Sequence, residues 1–353
     1  MNILIVKLSA IGDVIHSLPA LNALRRHFPE AHITWLVEEA ASGIVTSHTA
    51  VDRVLISDRK RWLKGLLGLS RPKNLLDIFR FLAALRDTRY HVVIDFQGLL
   101  KSAVMVGLAK GRRKIGYNKT REYSYLVLNE MVPPFDMDKH AVFRYLHLAK
   151  ELNADTELIE FNVPFGREEE QYVVSALHQK GWAGEAVVAI NPMAKWRTKL
   201  WAAENFSRVA DRLLSEHGVF VVFTGAGADH PEIQSIRSKM RHGCADLSGL
   251  TDLKQLAALY EMAHCVIATD TGPMHLAAAV GTPVVALFGP TSPRRTGPFG
   301  EGHEIIHADW SCSPCFKREC EPVKCMKDIS PGQVLDAVRR VLERSQVKVL
   351  RTV

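Results

Sequence analysis

The residues that could do chemistry sit where apolar runs end. Val266-Ile267-Ala268-Thr269-Asp270-Thr271-Gly272-Pro273-Met274-His275 reads as a buried strand that passes through a polar turn straight into a helix. Thr271 can cap that helix and Gly272 lets a ligand approach the backbone. Pro273 suits the first helical position, where its missing N–H costs nothing. The amides and the positive dipole end of such a helix favour a phosphate or diphosphate. A second unit of this kind opens the chain: Lys7-Leu8-Ser9-Ala10-Ile11-Gly12-Asp13 follows an apolar strand and starts a helix. Asp13 has two readings, a helix N-cap or a general base at the carboxyl edge of a parallel sheet.

Other stretches add charge. Lys195, Arg197 and Lys199 occupy a loop between a strand and a helix, far in sequence from any acidic residue except Glu204. They form either a solvated basic loop or a phosphate-binding one. Phe223-Thr224-Gly225-Ala226-Gly227 is a further strand and glycine turn, with Glu232 in the next helix start. Glu232 could bond a ribose or simply favour the helix N-terminus. Arg59, Lys60, Arg61 and Lys64, with Trp62, Phe79 and Phe81, make a basic, aromatic-bearing segment. It suits anionic lipid head groups or an ordinary amphipathic helix. Cys312, Cys315, Cys320 and Cys325 have spacing that could hold zinc or an iron–sulfur centre, or that leaves four reduced thiols in one loop.

The elements that must position these residues alternate strand and helix. Strands are expected over 2–7, 32–37, 92–96, 187–190, 219–224, 265–269 and 284–288. Helices are expected over 13–26, near 120–130, and over 139–152, 202–216, 230–240, 253–262, 273–280 and 331–345. This alternation implies parallel sheets covered on both faces. At 353 residues two domains are the default. The loss of helical periodicity near Pro164 divides them into 1–160 and 161–353, and the last helix is a candidate to cross back onto the first domain.

Composition narrows the class. Apolar residues make up 47% and charged residues 24%, as in soluble globular proteins. No apolar run spans a membrane, and the apolar start lacks the features of a signal peptide, so the cytoplasm is expected. The net charge is +7, and residues 1–160 hold 23 basic against 17 acidic residues, so nearly all the surplus lies in the first half. A basic domain attracts phosphates, nucleic acid or an anionic membrane. H-E-x-x-H, G-x-S-x-G and a Walker loop are missing from the sequence, as is the full G-x-G-x-x-G fingerprint, which disfavours a nucleotide-dependent oxidoreductase.

The opening Ile3-Leu4-Ile5-Val6-Lys7-Leu8-Ser9-Ala10-Ile11-Gly12-Asp13-Val14-Ile15-His16, the late Asp270-Thr271-Gly272-Pro273-Met274-His275-Leu276 and Phe288-Gly289-Pro290-Thr291-Ser292-Pro293 resemble the bacterial lipopolysaccharide heptosyltransferases, glycosyltransferase family nine. The resemblance spans nearly the whole chain. It implies a GT-B architecture of two Rossmann-like domains facing a cleft. It implies inverting, metal-independent transfer of L-glycero-D-manno-heptose from ADP-heptose, without a cofactor and without nucleic acid. Asp13 matches the family's base and Lys199 the lysine that neutralises the donor diphosphate. Asp270, Thr271, Gly272 and His275 match the donor turn, and Glu232 the ribose-binding acid. Trp35-Leu36-Val37-Glu38-Glu39, Asp95-Phe96-Gln97-Gly98-Leu99-Leu100-Lys101-Ser102 and His140-Ala141-Val142 resemble the type that adds the first heptose to the Kdo sugars of lipid A. In that type Arg59, Lys60, Arg61, Lys64 and Arg121 would meet the acceptor, at the inner face of the inner membrane. The cysteine loop is more similar to the type that adds the second heptose, and the resemblance implies no metal there.

Overall fold

The apolar runs that end in polar turns become the centre strands of two parallel sheets. The computed structural model describes residues 1–59, 61–62 and 71–351. The chain divides into two compact units, Met1–Pro164 and Phe165–Val353. In the first, β1 (Asn2–Val6), β2 (His32–Glu38), β3 (Arg53–Ser57), β4 (Tyr90–Asp95), β5 (Gly111–Tyr117) and β6 (Glu130–Val132) lie in the order β3-β2-β1-β4-β5-β6. In the second, β7 (Val187–Asn191), β8 (Phe220–Phe223), β9 (Ala245–Asp246), β10 (Cys265–Thr269), β11 (Val284–Phe288) and β12 (Glu304–His307) lie in the order β12-β11-β10-β7-β8-β9. Every pairing is parallel. Counted from its own first strand, each sheet has the order 3-2-1-4-5-6 of a dinucleotide-binding fold. This is the GT-B class: α/β, with two Rossmann-like units in one chain.

Burial explains the order. β1, β4, β7, β10 and β11 are almost wholly inaccessible, as strands covered by helices on both faces must be. In the first unit α1 (Ile11–His27), α2 (Arg71–Arg86), α3 (Leu100–Leu108) and α4 (Ala141–Lys150) accompany the sheet, and α1 packs against α4. Leu4, Val6, Leu36, Val93 and Val106 lie in one core cluster. In the second unit the longer helices are α5 (Arg167–Gln179), α6 (Ala203–His217), α7 (His230–Arg237), α8 (Leu253–Met262), α9 (Gly272–Ala279) and α10 (Pro331–Arg351). Ile190, Phe206, Val221, Ile267, Leu287 and Val338 join in a core there. The last helix, α10, packs on α6, β10, β11 and β12.

Several expectations need correction. β3, β5, β6, β9 and β12 were not expected, because they are short or carry charge: β9 has 2 residues, and β5 is Gly-Arg-Arg-Lys-Ile-Gly-Tyr, with two exposed arginines. The helix expected near 120–130 is absent. Arg121–Val127 is a 3-10 turn in which Glu122 and Tyr123 take positive φ, which ends any α-helix, and β6 follows. Asp13 is neither the cap residue nor the first residue of α1, although its carboxylate accepts the Ala10 N–H at the helix start. Extended Ala10 takes the cap, and Asp13 is the third helical residue. Thr271 takes the cap of α9 without a side-chain bond, and Pro273 stands at the second helical position, after Gly272.

One glycine is required by geometry in the second unit. Gly249 has φ +72°, and a Cβ there would lie 2.8 Å from Gly227 Cα. Its N–H donates to the Gly225 carbonyl at 2.9 Å, closing the loop after β8. Gly249→Ala is expected to lower stability by about 1–3 kcal/mol. Gly243→Ala, into open space, is expected to stay within about 0.5 kcal/mol. Denaturant melts of both variants check this, and equal stability of the two would contradict it.

Candidate active site

In open parallel sheets ligands bind beyond the carboxyl ends of the strands, where strand order reverses. In the first unit that point lies between β1 and β4. Lys7 leaves β1 there and is 2% exposed. Its ammonium stands 3.7 Å from Asp13 Oδ2 and 5.1 Å from the Tyr145 ring centroid. The Tyr145 hydroxyl donates to Asp13 Oδ1 at 3.4 Å, and Arg144 Nη2 lies 3.9 Å from the same oxygen. The Ala10 amide faces Asp13 Oδ2 at 3.4 Å. Asp13 remains 38% exposed, so two cations and a phenol surround a carboxylate that solvent or substrate still reaches.

The turn after β4 braces this group. Asp95 is buried and accepts from the amides of Gln97 and Gly98, each at 3.0 Å, and from the Ser102 hydroxyl at 3.1 Å. Burial pushes its pKa above the usual carboxylate range, although these bonds and the Lys7 charge oppose the shift. Gln97 Oε1 accepts from the amides of Leu8 and Ser9 at 3.2 and 3.0 Å. The loop that leads to Asp13 is thereby fixed to the loop after β4.

In the second unit the reversal lies between β7 and β10. The Lys199 ammonium donates to Asp270 Oδ2 at 2.6 Å and to the Asp270 carbonyl at 3.2 Å. The Thr291 hydroxyl donates to the same carboxylate oxygen at 2.6 Å. His275 Nε2 stands 4.0 Å from Asp270 Oδ1. Lys199 also lies 4.6 Å from the Trp196 ring centroid, with the Arg318 guanidinium 5.0 Å from that centroid. Asp270 is 6% exposed and Lys199 15%. One buried carboxylate therefore gathers the turns after β7, β10 and β11. Asp270 opens directly into Thr271 and the half-exposed Gly272 at the start of α9. A cleft of about 780 Å³, lined by Arg197, Trp201, Asn205 and Arg318 among others, lies beside this pair and does not include it.

The sequence-derived residues divide clearly. The structure brings Lys199, Asp270 and His275 together and sets Thr271 and Gly272 next in line. Lys199 is not an unpaired loop cation: its carboxylate comes from 71 positions away, beyond the reach of local inspection. Glu232 is exposed in the first turn of α7. Arg59 pairs with Glu38 at 3.5 Å, and Arg61 with Asp58 and Asp77 at 2.7 and 3.2 Å. Arg121 is exposed at the start of its 3-10 turn. Lys60 and Lys64 lie outside the described residues. Trp62 and Phe81 are core residues with ring centroids 5.0 Å apart, whereas Phe79 is 67% exposed. Reasoning from sequence missed Glu38, Lys101, Arg144, Tyr145 and Thr291 as site residues. Lys101 and Thr291 follow parallel strands, the rule that singled out Asp13, so that signal was present.

Burial pushes the Cys325 thiol above its usual range, and Cys315, Cys312 and Cys320 act on it in the same direction. Among the described residues no group of three or more His, Cys, Asp or Glu side chains is placed to hold a metal. The loop is tied to the turns after β7 and β11. Cys315 and Phe316 amides donate to the Pro290 carbonyl at 3.0 and 2.8 Å, and the Thr198 hydroxyl to the Lys317 carbonyl at 2.9 Å.

Comparison with known proteins gives a consistent picture. Residues 78–326 match the model of glycosyltransferase family 9 (heptosyltransferase). Lipopolysaccharide heptosyltransferase 1 of Pseudomonas aeruginosa is 31% identical over 91% of this chain and 87% of its own length. The solved structure of Escherichia coli heptosyltransferase WaaC with ADP superposes with a TM-score of 0.78 at 25% identity, over 97% of this chain and all of the other. WaaC with ADP-2-deoxy-2-fluoro heptose gives 0.73 at 27% identity, over 98% of this chain and all of the other.

The thiols make a direct check on the described burial. Cys312 and Cys320 are exposed, whereas burial pushes the Cys265 thiol up to about 12. Thiolate is the reactive form, so iodoacetamide at pH 8 is expected to label Cys312 and Cys320 first and Cys265 only on unfolding. Early labelling of Cys265, read by mass spectrometry, would contradict the fold of the second sheet.

Proposed function

The chain belongs to glycosyltransferase family 9 (heptosyltransferase), and from that premise we propose that it transfers L-glycero-D-manno-heptose from ADP-heptose to the Kdo–lipid A inner core of lipopolysaccharide. The observation that carries this reading is the Lys199–Asp270 pair at the start of α9. It supplies a fixed cation beside a helix N-terminus, the combination that a leaving diphosphate needs. The similarity to a heptosyltransferase 1 supports the first-heptose reaction. Addition of the second heptose is the alternative that the cysteine loop favours.

The reaction is a single displacement. The acceptor hydroxyl attacks the anomeric carbon, and Asp13 takes the hydroxyl proton. The bond from that carbon to the diphosphate oxygen breaks, its electron pair leaves with ADP, and the anomeric configuration inverts. Lys199 and the amides at Thr271 and Gly272 meet the charge that grows on the leaving group. Asp270 and Thr291 hold the lysine in place, His275 completes the donor turn, and Glu232 bonds the ribose. Protein cations do the work that a divalent metal would otherwise do, so transfer is metal-independent. Arg59, Arg61 and Arg121, with Lys60 and Lys64, meet the anionic acceptor.

Among the described residues no helix is long and apolar enough to cross a membrane. The charge surplus in residues 1–160 supports peripheral attachment to the anionic inner face of the inner membrane, from the cytoplasm, with a salt dependence set by screening.

Two measurements test the reaction. Asp13→Asn is expected to lower kcat by about 10²–10⁴-fold while ADP affinity stays within about twofold of the unaltered chain; near-normal turnover would remove Asp13 from the base role. Product formation from ADP-heptose is expected to persist in excess EDTA. Loss of activity there, restored by a divalent cation, would overturn the metal-independent mechanism.

A further inference from the structure

Four thiols lie between β12 and α10, and the displacement uses none of them. All four are free, and they differ in their surroundings. Cys312 is exposed, in a turn that the Ser313 N–H closes onto the Trp310 carbonyl at 2.8 Å. Cys315, three residues on, is half-buried. Cys320 is exposed at the wall of the cleft beside α6, where its thiol donates to the Pro322 carbonyl at 3.8 Å. Cys325 is buried, its sulfur 3.1 Å from the place a Cβ on Gly289 would take.

We propose that Cys312 and Cys315 are a site of thiol modification: a hydroperoxide oxidises the pair to a disulfide, and the disulfide weakens ADP binding at the Lys199–Asp270 edge. The inference rests on the reading of that edge as the donor site. With hydrogen peroxide the step balances as follows. The Cys312 thiolate attacks one oxygen, the O–O bond breaks, and the other oxygen takes up the thiol proton and leaves as water. The Cys315 sulfur then displaces the oxygen from the Cys312 sulfenic acid. The S–S bond forms and a second water leaves with the Cys315 proton. Two thiols are oxidised and one peroxide is reduced.

Three observations carry the proposal. Cys-x-x-Cys is the spacing of redox-active dithiols, and here the first thiol is open to an oxidant while the second is sheltered beside it. Cys325 does not compete as the partner, because burial holds its thiol in the protonated form. The segment that joins the pair is bonded to the turn that holds Asp270. The Ser313 hydroxyl donates to the Gly289 carbonyl at 2.5 Å and pairs with His307 Nε2 at 2.8 Å. The Cys315 and Phe316 amides both donate to the Pro290 carbonyl. Thr291, next in the chain, donates to Asp270. Lys317 and Arg318 extend the same contact to the turn after β7, through Thr198 and the Trp196 ring that Lys199 also faces.

A disulfide brings its two sulfurs to about 2.05 Å. The segment cannot contract to that length without breaking its bonds to Gly289 and Pro290 or moving the turn with it. Either change alters how Thr291 and Asp270 hold the Lys199 ammonium.

The test uses the full chain, reduced and then treated with a small molar excess of hydrogen peroxide. Peptide mapping is expected to find Cys312 linked to Cys315. Calorimetry is expected to show ADP bound about fivefold or more weakly by the oxidised chain, with recovery in dithiothreitol. Cys312→Ser and Cys315→Ser should each bind ADP as the reduced chain does and should not respond to peroxide, whereas Cys320→Ser should respond as the unaltered chain does. A disulfide that joins any other pair, sulfinic acid at Cys312 without a disulfide, or a Cys312–Cys315 disulfide that leaves ADP affinity unchanged would each overturn the proposal. Should Cys315→Ser melt early, Cys312→Ser, at an exposed position, makes the same comparison. If the reduced, folded chain binds no ADP, the donor reading fails and the inference falls with it. If the reduced chain binds ADP and peroxide changes nothing, only the modification site fails.

Discussion

The pair between Lys199 and Asp270 is the contact on which the second unit's ligand edge depends. Bringing both charges into a nearly dry site costs solvation, which close contact and further hydrogen bonds must offset. The 2.6 Å separation and the second 2.6 Å bond from Thr291 supply that compensation. Removing one partner would leave the other charge buried, a loss of about 3–5 kcal/mol in comparable sites. The pair also fixes position. Lys199 follows β7, Asp270 follows β10 and Thr291 follows β11, so one carboxylate sets the spacing of three turns beside the start of α9. A cation held this way needs no reorganisation when charge develops next to it, the condition for electrostatic catalysis.

The first unit repeats the strand order and uses its reversal point differently. There the exposed group is an anion, Asp13, bordered by Lys7, Arg144 and Tyr145. The surrounding polar groups are bonded: buried Asp95 into its own turn, and half-buried Gln97 onto the loop before Asp13. Identical topology thus gives a part-exposed carboxylate in one unit and a buried lysine–carboxylate pair in the other. On the proposed reading these are the proton acceptor and the leaving-group cradle of one displacement.

How much of this was legible in the sequence follows from burial. Centre strands such as Ile3-Leu4-Ile5-Val6 and Val266-Ile267-Ala268-Thr269 are buried on both faces and read as continuous apolar runs. β5, beside the edge strand β6, is half wet and holds Arg112, Arg113 and Lys114, so it carries no such signal. Glycine turns after strands marked the stretches that hold Asp13 and Asp270. Lys7 and His275 are local partners, but others come from far away: Tyr145 lies 132 positions from Asp13, and Lys199 lies 71 from Asp270. Periodicity is a local property and carries no information about such pairs. The basic segment shows the same limit. Arg61 stays 62% exposed, and its partners Asp58 and Asp77, like the Glu38 partner of Arg59, are not visible in the charge pattern alone.

The most direct test of the central claim is calorimetric ADP binding by Lys199→Met, Asp270→Asn and the double variant, each checked for an intact fold. The account predicts that either single change weakens ADP at least tenfold. It also predicts that the double variant is little worse than the poorer single one, because the two residues act as one unit. A folded Lys199→Met protein that binds ADP within twofold of the unaltered chain would contradict it.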